Sequence, residues 1–262
     1  MTGPALGQEV NIFGVNVTAT TYDHATRSII DAAANKTSYA VSALAVHGLM
    51  EAVASPEFRA QVNSIDLVTP DGQPVRWAMN ALHSTGLDDR VYGPDLTWHV
   101  VEAAESAGLS LFLFGSTEQI CEAFRLEIMH RHPCSRVVGV QADRFRDATA
   151  DEDSADIATI NDSGAHIVLV GRGCPRQEQW VADHRGSVNA AMLAVGAAFD
   201  YGAGALNPPP SWVQQYGLQW LFRLGQEPRR LWKRYLITNS KFLAHFANAM
   251  FHKTFTSRGL AE

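Results

Sequence analysis

"AHIVLVGRGCPRQEQWVADHR", residues 165–185, holds four consecutive apolar residues, Ile167 to Val170, then a loop shaped by Gly171 and Gly173, then a helical pattern. A strand that is apolar at every position must be covered on both faces, which is the situation of a strand inside a parallel sheet. The same unit recurs along the chain. "YAVSALAV" (39–46) precedes "HGLMEAVASPEFRAQV" (47–62), and "IDLVTPDG" (65–72) precedes "QPVRWAMNALH" (73–83). "LSLFLFGS" (109–116) precedes "TEQICEAFRLEIMHRH" (117–132), and "SRVVGVQ" (135–141) precedes "DEDSADIATINDSG" (151–164). "AAMLAVGAAFD" (190–200) ends the series, and "NIFGVNVTATTYDHATRSIIDAAAN" (11–35) opens it as a strand or hairpin followed by a helix.

Strands alternating with helices predict an α/β class: a Rossmann-like, mostly parallel sheet covered by helices. The alternation stops at "GALNPPPSWVQQYG", where Pro208, Pro209 and Pro210 can continue neither a helix nor an interior strand. The expected division is a core over 1–206 and a basic, amphipathic helical appendage over 207–262. Its second helix should restart at Glu227-Pro228.

The chain has 262 residues, 46% apolar and 18% charged, enough to bury a core and too apolar for general disorder. Cys121, Cys134 and Cys174 form no CxxC pair, so neither a disulfide framework nor a zinc site is implied, and a reducing compartment is expected. The first ten residues show no signal-peptide pattern, and no apolar run is long enough to span a bilayer. No metal is expected either, because the ten histidines show no ligand spacing.

The net charge is −6, but it is unevenly placed. Residues 222–262 hold eight Lys/Arg against two acids, whereas residues 1–221 hold 13 against 25. The segment "LFRLGQEPRRLWKRYL" (221–236) interleaves Arg223, Arg229, Arg230, Lys233 and Arg234 with Phe222, Trp232 and Tyr235. Such a tail calls for an anionic partner, while the acidic body argues against nucleic acid.

Ligands of parallel sheets bind at the carboxyl ends of the strands, and three loops there carry chemistry. In "VTPDGQPVRW", Asp71 can act as a base toward a hydroxyl, although Pro-Asp-Gly also reads as a plain turn. In "LFLFGSTEQICEAF", Gly115 and Ser116 lead into a helix start that can meet a phosphate, or Thr117 is an ordinary cap. In "VLVGRGCPRQEQW", Arg172 and Arg176 can meet phosphates and Gln177 a sugar or base.

Taken in order, these segments resemble the WecG/TagA/CpsF family of bacterial glycosyltransferases (glycosyltransferase family 26), from about residue 10 to about residue 240. The carriers are "TPDGQPVRWAMN", "RVYGPDL", "GCPRQEQW", "VGAAFDYGAGALNPPPSW" and "GLQWLFRLGQEPRRLWKRYL". The resemblance implies inverting, metal-free transfer of a sugar from a UDP-sugar to a polyprenyl-diphosphate-linked sugar, on the inner face of the cytoplasmic membrane. It names Asp71 as the base, with Gly72 beside it. Substrate contacts fall on Arg90 and Asp95, on Gly115 and Ser116, on Gly171, Pro175, Arg176, Gln177 and Glu178, and on Asp200. The tail would add Arg223, Arg230 and Lys233 for the phosphates, with no cofactor beyond the donor itself. The family's strand-end motif, often Thr-x-Asn, falls on Ser42-Ala43-Leu44, so Leu44 departs from it. "AVHGLMEA" resembles exopolysaccharide-type members more than teichoic-acid ones.

The resemblance gives the tail a physical role. Arginines bind diphosphates in bidentate fashion, and a basic, aromatic helix can lie on an anionic leaflet without crossing it. A different class of reading is a non-catalytic nucleotide-binding or membrane-docking protein on the same sheet. The sequence sets neither the donor sugar nor the oligomeric state, and a homo-oligomer stays open.

Overall fold

The computed structural model describes residues 3–258 apart from 211, 212, 214 and 215, and without the side chains of Arg230, Arg234 and residues 254–258. Strands β1 (Glu9–Ile12) and β2 (Val15–Thr18) form an antiparallel hairpin. Its two turn residues, Phe13 and Gly14, both have positive φ, 56° and 94°. A two-residue hairpin with the right twist needs this at both positions. Gly14 adopts it freely, and its N–H donates to Asn11 Oδ1 at 2.9 Å.

Thr21 then caps α1 (Tyr22–Ala34). The series continues with β3 (Tyr39–Leu44), α2 (Val46–Ala54), α3 (Pro56–Asn63), β4 (Leu67–Pro70), α4 (Gln73–His83) and α5 (Gly93–Ser106). Next come β5 (Ser110–Gly115), α6 (Glu118–Arg131), β6 (Arg136–Gln141), α7 (Ala150–Asp162), β7 (Ile167–Gly171) and α8 (Arg176–Asp183). The chain closes with β8 (Ala191–Ala194), α9 (Ala198–Gly202), α10 (Gln219–Gln226) and α11 (Pro228–Arg258). The pattern over 47–62 resolves into two helices, because Pro56 cannot continue α2 and Ser55 caps α3 by accepting from the Phe58 N–H at 3.2 Å.

Strands β3 to β8 form one parallel sheet in the order β4-β3-β8-β7-β5-β6. The pleat alternates the apolar side chains between two cores. Val168 and Val170 join one face, with the hairpin, α2, α3 and α8; Ile167 and Leu169 join the other, with α1, α5, α6 and α9. The fold is therefore α/β with helices on both faces, as the apolar strands require.

The C-terminal helices lie against this body. Leu231 and Phe242 of α11 are buried. Phe242 meets Phe13 at the hairpin turn with ring centroids 5.7 Å apart, and α11 packs on α2 and α4. Trp232 and Leu236 sit on another side of the same helix, exposed. Among the described residues no helix is long and apolar enough to cross a membrane.

Candidate active site

A cleft of about 740 Å³ opens at the carboxyl ends of the strands. Its walls come from the ends of β3, β4, β7 and β8, and α10 and α11 close it from above. The core and the C-terminal segment thus build one cavity together.

Asp71 follows β4 directly, and its N–H donates to the Leu44 carbonyl at 3.3 Å, which ties the two strand ends together. Gly72 then caps α4. Burial pushes the Asp71 carboxyl up to about 6, against the opposing pull of Arg90 and Arg223 and of the Gly93 N–H. Arg90 is itself buried; its Nη1 donates to the Asp71 carbonyl at 3.0 Å and stands 3.9 Å from Asp71 Oδ1. The guanidinium lies over the Tyr92 ring, 4.2 Å from its centroid. Gly93 packs so closely on this corner that a Cβ there would come within 3.1 Å of the Ala43 side chain.

Arg223 enters from α10. Burial works against its charge, but Tyr201, Tyr235, Tyr92 and Glu227 outweigh it and hold its pKa above the ordinary value. Arg223 Nη2 stands 3.6 Å from Glu227 Oε2, while its Nε is buried without a hydrogen-bond partner. Sequence reasoning named Tyr235 only as part of the basic, aromatic tail and passed over Tyr92 and Tyr201. The three tyrosines come from the α4–α5 connection, α9 and α11, and only the folded chain brings them together around one arginine.

The floor is made by the loop after β7 and the start of α8. Gln177 and Glu178 are buried there, and both line the cleft with Gly171, Gly173, Cys174 and Gly196. Burial pushes the Glu178 carboxyl up to about 7, opposed by hydrogen bonding from Gln177, its own backbone N–H, Cys174 and Ser42. Ser42 lies fully buried on β3, while Leu44, two residues on, reaches the cleft wall.

The other expected site residues divide. Ser116, at φ 48°, and Asp200 line the cleft. Gly115 packs on the Gly171 backbone so tightly that a Cβ would lie 2.5 Å from the Gly171 carbonyl carbon, which explains the need for glycine. Thr117 acts as an ordinary cap, accepting from the Ile120 N–H at 3.3 Å. Pro175 follows a cis peptide bond at the start of α8.

Arg172 and Arg176, offered to phosphates by the sequence, are both held by the buried Asp143. Arg172 Nε donates to it at 3.2 Å, and Arg176 makes a bidentate pair at 2.8 and 3.1 Å. Asp95 stands outside the cleft, beside a smaller recess with Trp98 and His99, where Tyr22 OH donates to it at 3.5 Å. Lys233 is exposed on α11 and is not among the cleft residues. The side chain of Arg230 lies outside the described residues.

Chemically, the cleft offers a carboxyl near the pKa of a working base, the buried Arg90 and half-buried Arg223 guanidiniums beside it and a polar floor. Among the described residues no group of three or more His, Cys, Asp or Glu side chains is placed to hold a metal ion. The family model described as Glycosyl transferase WecG/TagA/CpsF family matches residues 10–255.

Proposed function

Since the chain belongs to the WecG/TagA/CpsF glycosyl transferase family, and is therefore a glycosyltransferase of cell-surface polysaccharide synthesis, we propose that it moves a sugar from a UDP-sugar to a polyprenyl-diphosphate-linked sugar with inversion and without a metal. Asp71 takes the proton of the acceptor hydroxyl as that oxygen attacks the anomeric carbon. The bond to the UDP oxygen breaks in the same displacement, and Arg223 offsets the charge that develops on the leaving diphosphate.

The observation that carries this reading is the juxtaposition of Asp71 with Arg90 and Arg223 in one cleft. A base for the nucleophile and cations for the leaving group are the two things a single displacement needs. The acceptor is a lipid, so the enzyme works at the inner face of the cytoplasmic membrane. The exposed side of α11 suits that surface, since Trp232 and Leu236 lie on it with the exposed Arg229 and Lys233. Basic residues at an anionic leaflet contribute about 1 kcal/mol each.

The test is UDP release from a panel of UDP-sugars in the presence of a short-chain lipid-diphosphate-linked sugar and EDTA. Acceptor-dependent release with an inverted product is the expected result. Release that needs added magnesium or manganese, or retention of configuration, would overturn the mechanism.

A further inference from the structure

Helix α4 begins two residues after Asp71, and one of its faces is turned to the cleft. Gln73, Pro74, Trp77 and Ala78 line the cavity, while Val75 and Met79 pack into the core. Positions 73, 74, 77 and 78 share one side of a helix, so the cleft reads a continuous stripe of α4. On that stripe Gln73 and Ala78 are buried, but Trp77 is 45% exposed. Tryptophan is a highly buried residue on average, and a ring left open on the wall of a ligand-sized cleft marks a contact surface.

The ring stands on a fixed support. Gln73 Nε2 donates to Asp89 Oδ1 at 2.9 Å, and Arg76 Nη1 donates to the Leu87 and Asp88 carbonyls at 2.8 and 2.7 Å. At the far end of α4, Lys253 Nζ from α11 donates to the Ala81 and Leu82 carbonyls at 2.8 and 2.9 Å. Gly217, in the turn before α10, approaches the indole itself. Its φ is 69°, and a Cβ there would lie 3.0 Å from Trp77 Cη2. That turn covers one edge of the indole and leaves much of the rest to the cleft.

Trp77 lies one turn beyond Gln73, about 6 Å along the helix axis. That rise is comparable to the width of a pyranose ring, so a sugar that presents a hydroxyl to Asp71 extends along α4 toward Trp77. A pyranose carries its hydroxyls around the edge and C–H bonds on its faces. The negative face of an indole attracts such C–H groups and excludes water from them. The sugar that offers its hydroxyl to the base is the acceptor's. The cleft also continues under α11 to Leu243 and Phe246, apolar side chains that suit a lipid chain better than a nucleotide.

We infer that Trp77 is the platform on which the acceptor's sugar ring lies, a binding residue on the acceptor side of the cleft. The inference rests on the glycosyl-transfer reading above and adds to it the group that positions the attacking sugar.

Initial rates of UDP release by the full chain test it. The acceptors are short-chain lipid diphosphates carrying glucose, galactose or N-acetylglucosamine, and the best of them is taken forward with the best UDP-sugar. Trp77→Leu keeps an apolar side chain and removes the ring. It should raise the acceptor KM about 10-fold, while calorimetry gives the wild-type affinity for the UDP-sugar. Trp77→Phe puts a ring back and should recover most of the loss. Equal acceptor KM values for the Leu and Phe variants would reduce Trp77 to apolar filling and overturn the platform. A raised donor KM with an unchanged acceptor KM would assign the ring to the transferred sugar and overturn the acceptor assignment. Both results leave glycosyl transfer itself intact. Wild-type protein that releases no UDP with any pair of substrates would overturn that reading and this inference with it.

The unmodified enzyme supplies a second measurement, should the variants fold poorly. In saturation-transfer NMR with the same acceptor, irradiation of the aromatic protons should reach the C–H protons of one sugar face most strongly. Transfer spread evenly over the ring would count against a stacked sugar.

Discussion

Arg90 grips Asp71 at both ends: the same Nη1 donates to the Asp71 carbonyl at 3.0 Å and lies 3.9 Å from its carboxylate. The backbone hydrogen bond fixes where the guanidinium sits, and the longer ionic contact leaves the carboxylate oxygen open to another proton. A shorter, fully formed salt bridge would hold the pKa low and spoil the base. Instead burial wins and the carboxyl is pushed up to about 6.

Asp71→Asn is therefore expected to lower turnover about 10²-fold or more. It should also change stability in a defined direction. The folded-state pKa of about 6 lies above the ordinary 3.8, so the folded wild type holds the extra proton and loses stability as pH rises between those values. The Asn variant escapes that loss. Its melting temperature should match or exceed the wild type above pH 6, with the difference shrinking toward pH 4. A variant with near-normal turnover removes Asp71 from the mechanism.

Arg223 is one of the charges that pull the Asp71 pKa down. Arg223→Gln should reduce turnover and also move the acid limb of the pH–rate profile upward, because Asp71 then ionises at higher pH. Activity on that limb requires the ionised base, so the rate at mildly acidic pH falls most. A profile that drops in height without moving would mean that Arg223 acts only on the substrate.

Arg176 gives the opposite pattern. Its guanidinium is bound to Asp143, whose side chain is 1% exposed, and to the Arg146 carbonyl at 3.0 Å. Arg176→Ala leaves that buried carboxylate dependent on Arg172, so the melting temperature should fall while UDP-sugar affinity is retained. Lost affinity with unchanged stability would return Arg176 to the phosphates.

This pair also shows where sequence reading stops. The strand ends that carry Asp71, Gly171 and Gln177 were legible, because apolar runs followed by Gly, Asp and a helix pattern are local signals. The helix placements over 73–83 and 118–131 follow the same local logic. What holds Arg172 and Arg176 is Asp143, about thirty residues earlier and across two strands, and no local pattern reports such a contact. Helix α5 opens on Gly93-Pro94, a pair that taken alone signals a turn. The meeting of Tyr92 and Tyr201 with Tyr235 around Arg223 was hidden for the same reason, since it depends on the path of α10 and α11 over the cleft.

Two neighbours on α11 separate packing from docking. Leu231 is 1% exposed, facing the body of the protein, while Trp232 is 56% exposed beside Leu236 and the cations Arg229 and Lys233. Leu231→Ala empties a packed site and should cost about 2 to 5 kcal/mol, read as a lower melting temperature. Trp232→Ala trims a mostly exposed side chain and should stay within about 0.5 kcal/mol of the wild type. If the exposed face of α11 meets the leaflet, Trp232→Ala should weaken sedimentation with vesicles containing phosphatidylglycerol and reduce turnover on a lipid-linked acceptor. Donor binding should be unaffected. Raised salt should weaken vesicle binding in both proteins, because Arg229 and Lys233 supply the screened part of the attraction. Equal vesicle binding by wild type and Trp232→Ala at low salt would assign that face to something other than a membrane, and the basic, aromatic tail would then be explained by its arginine in the cleft alone.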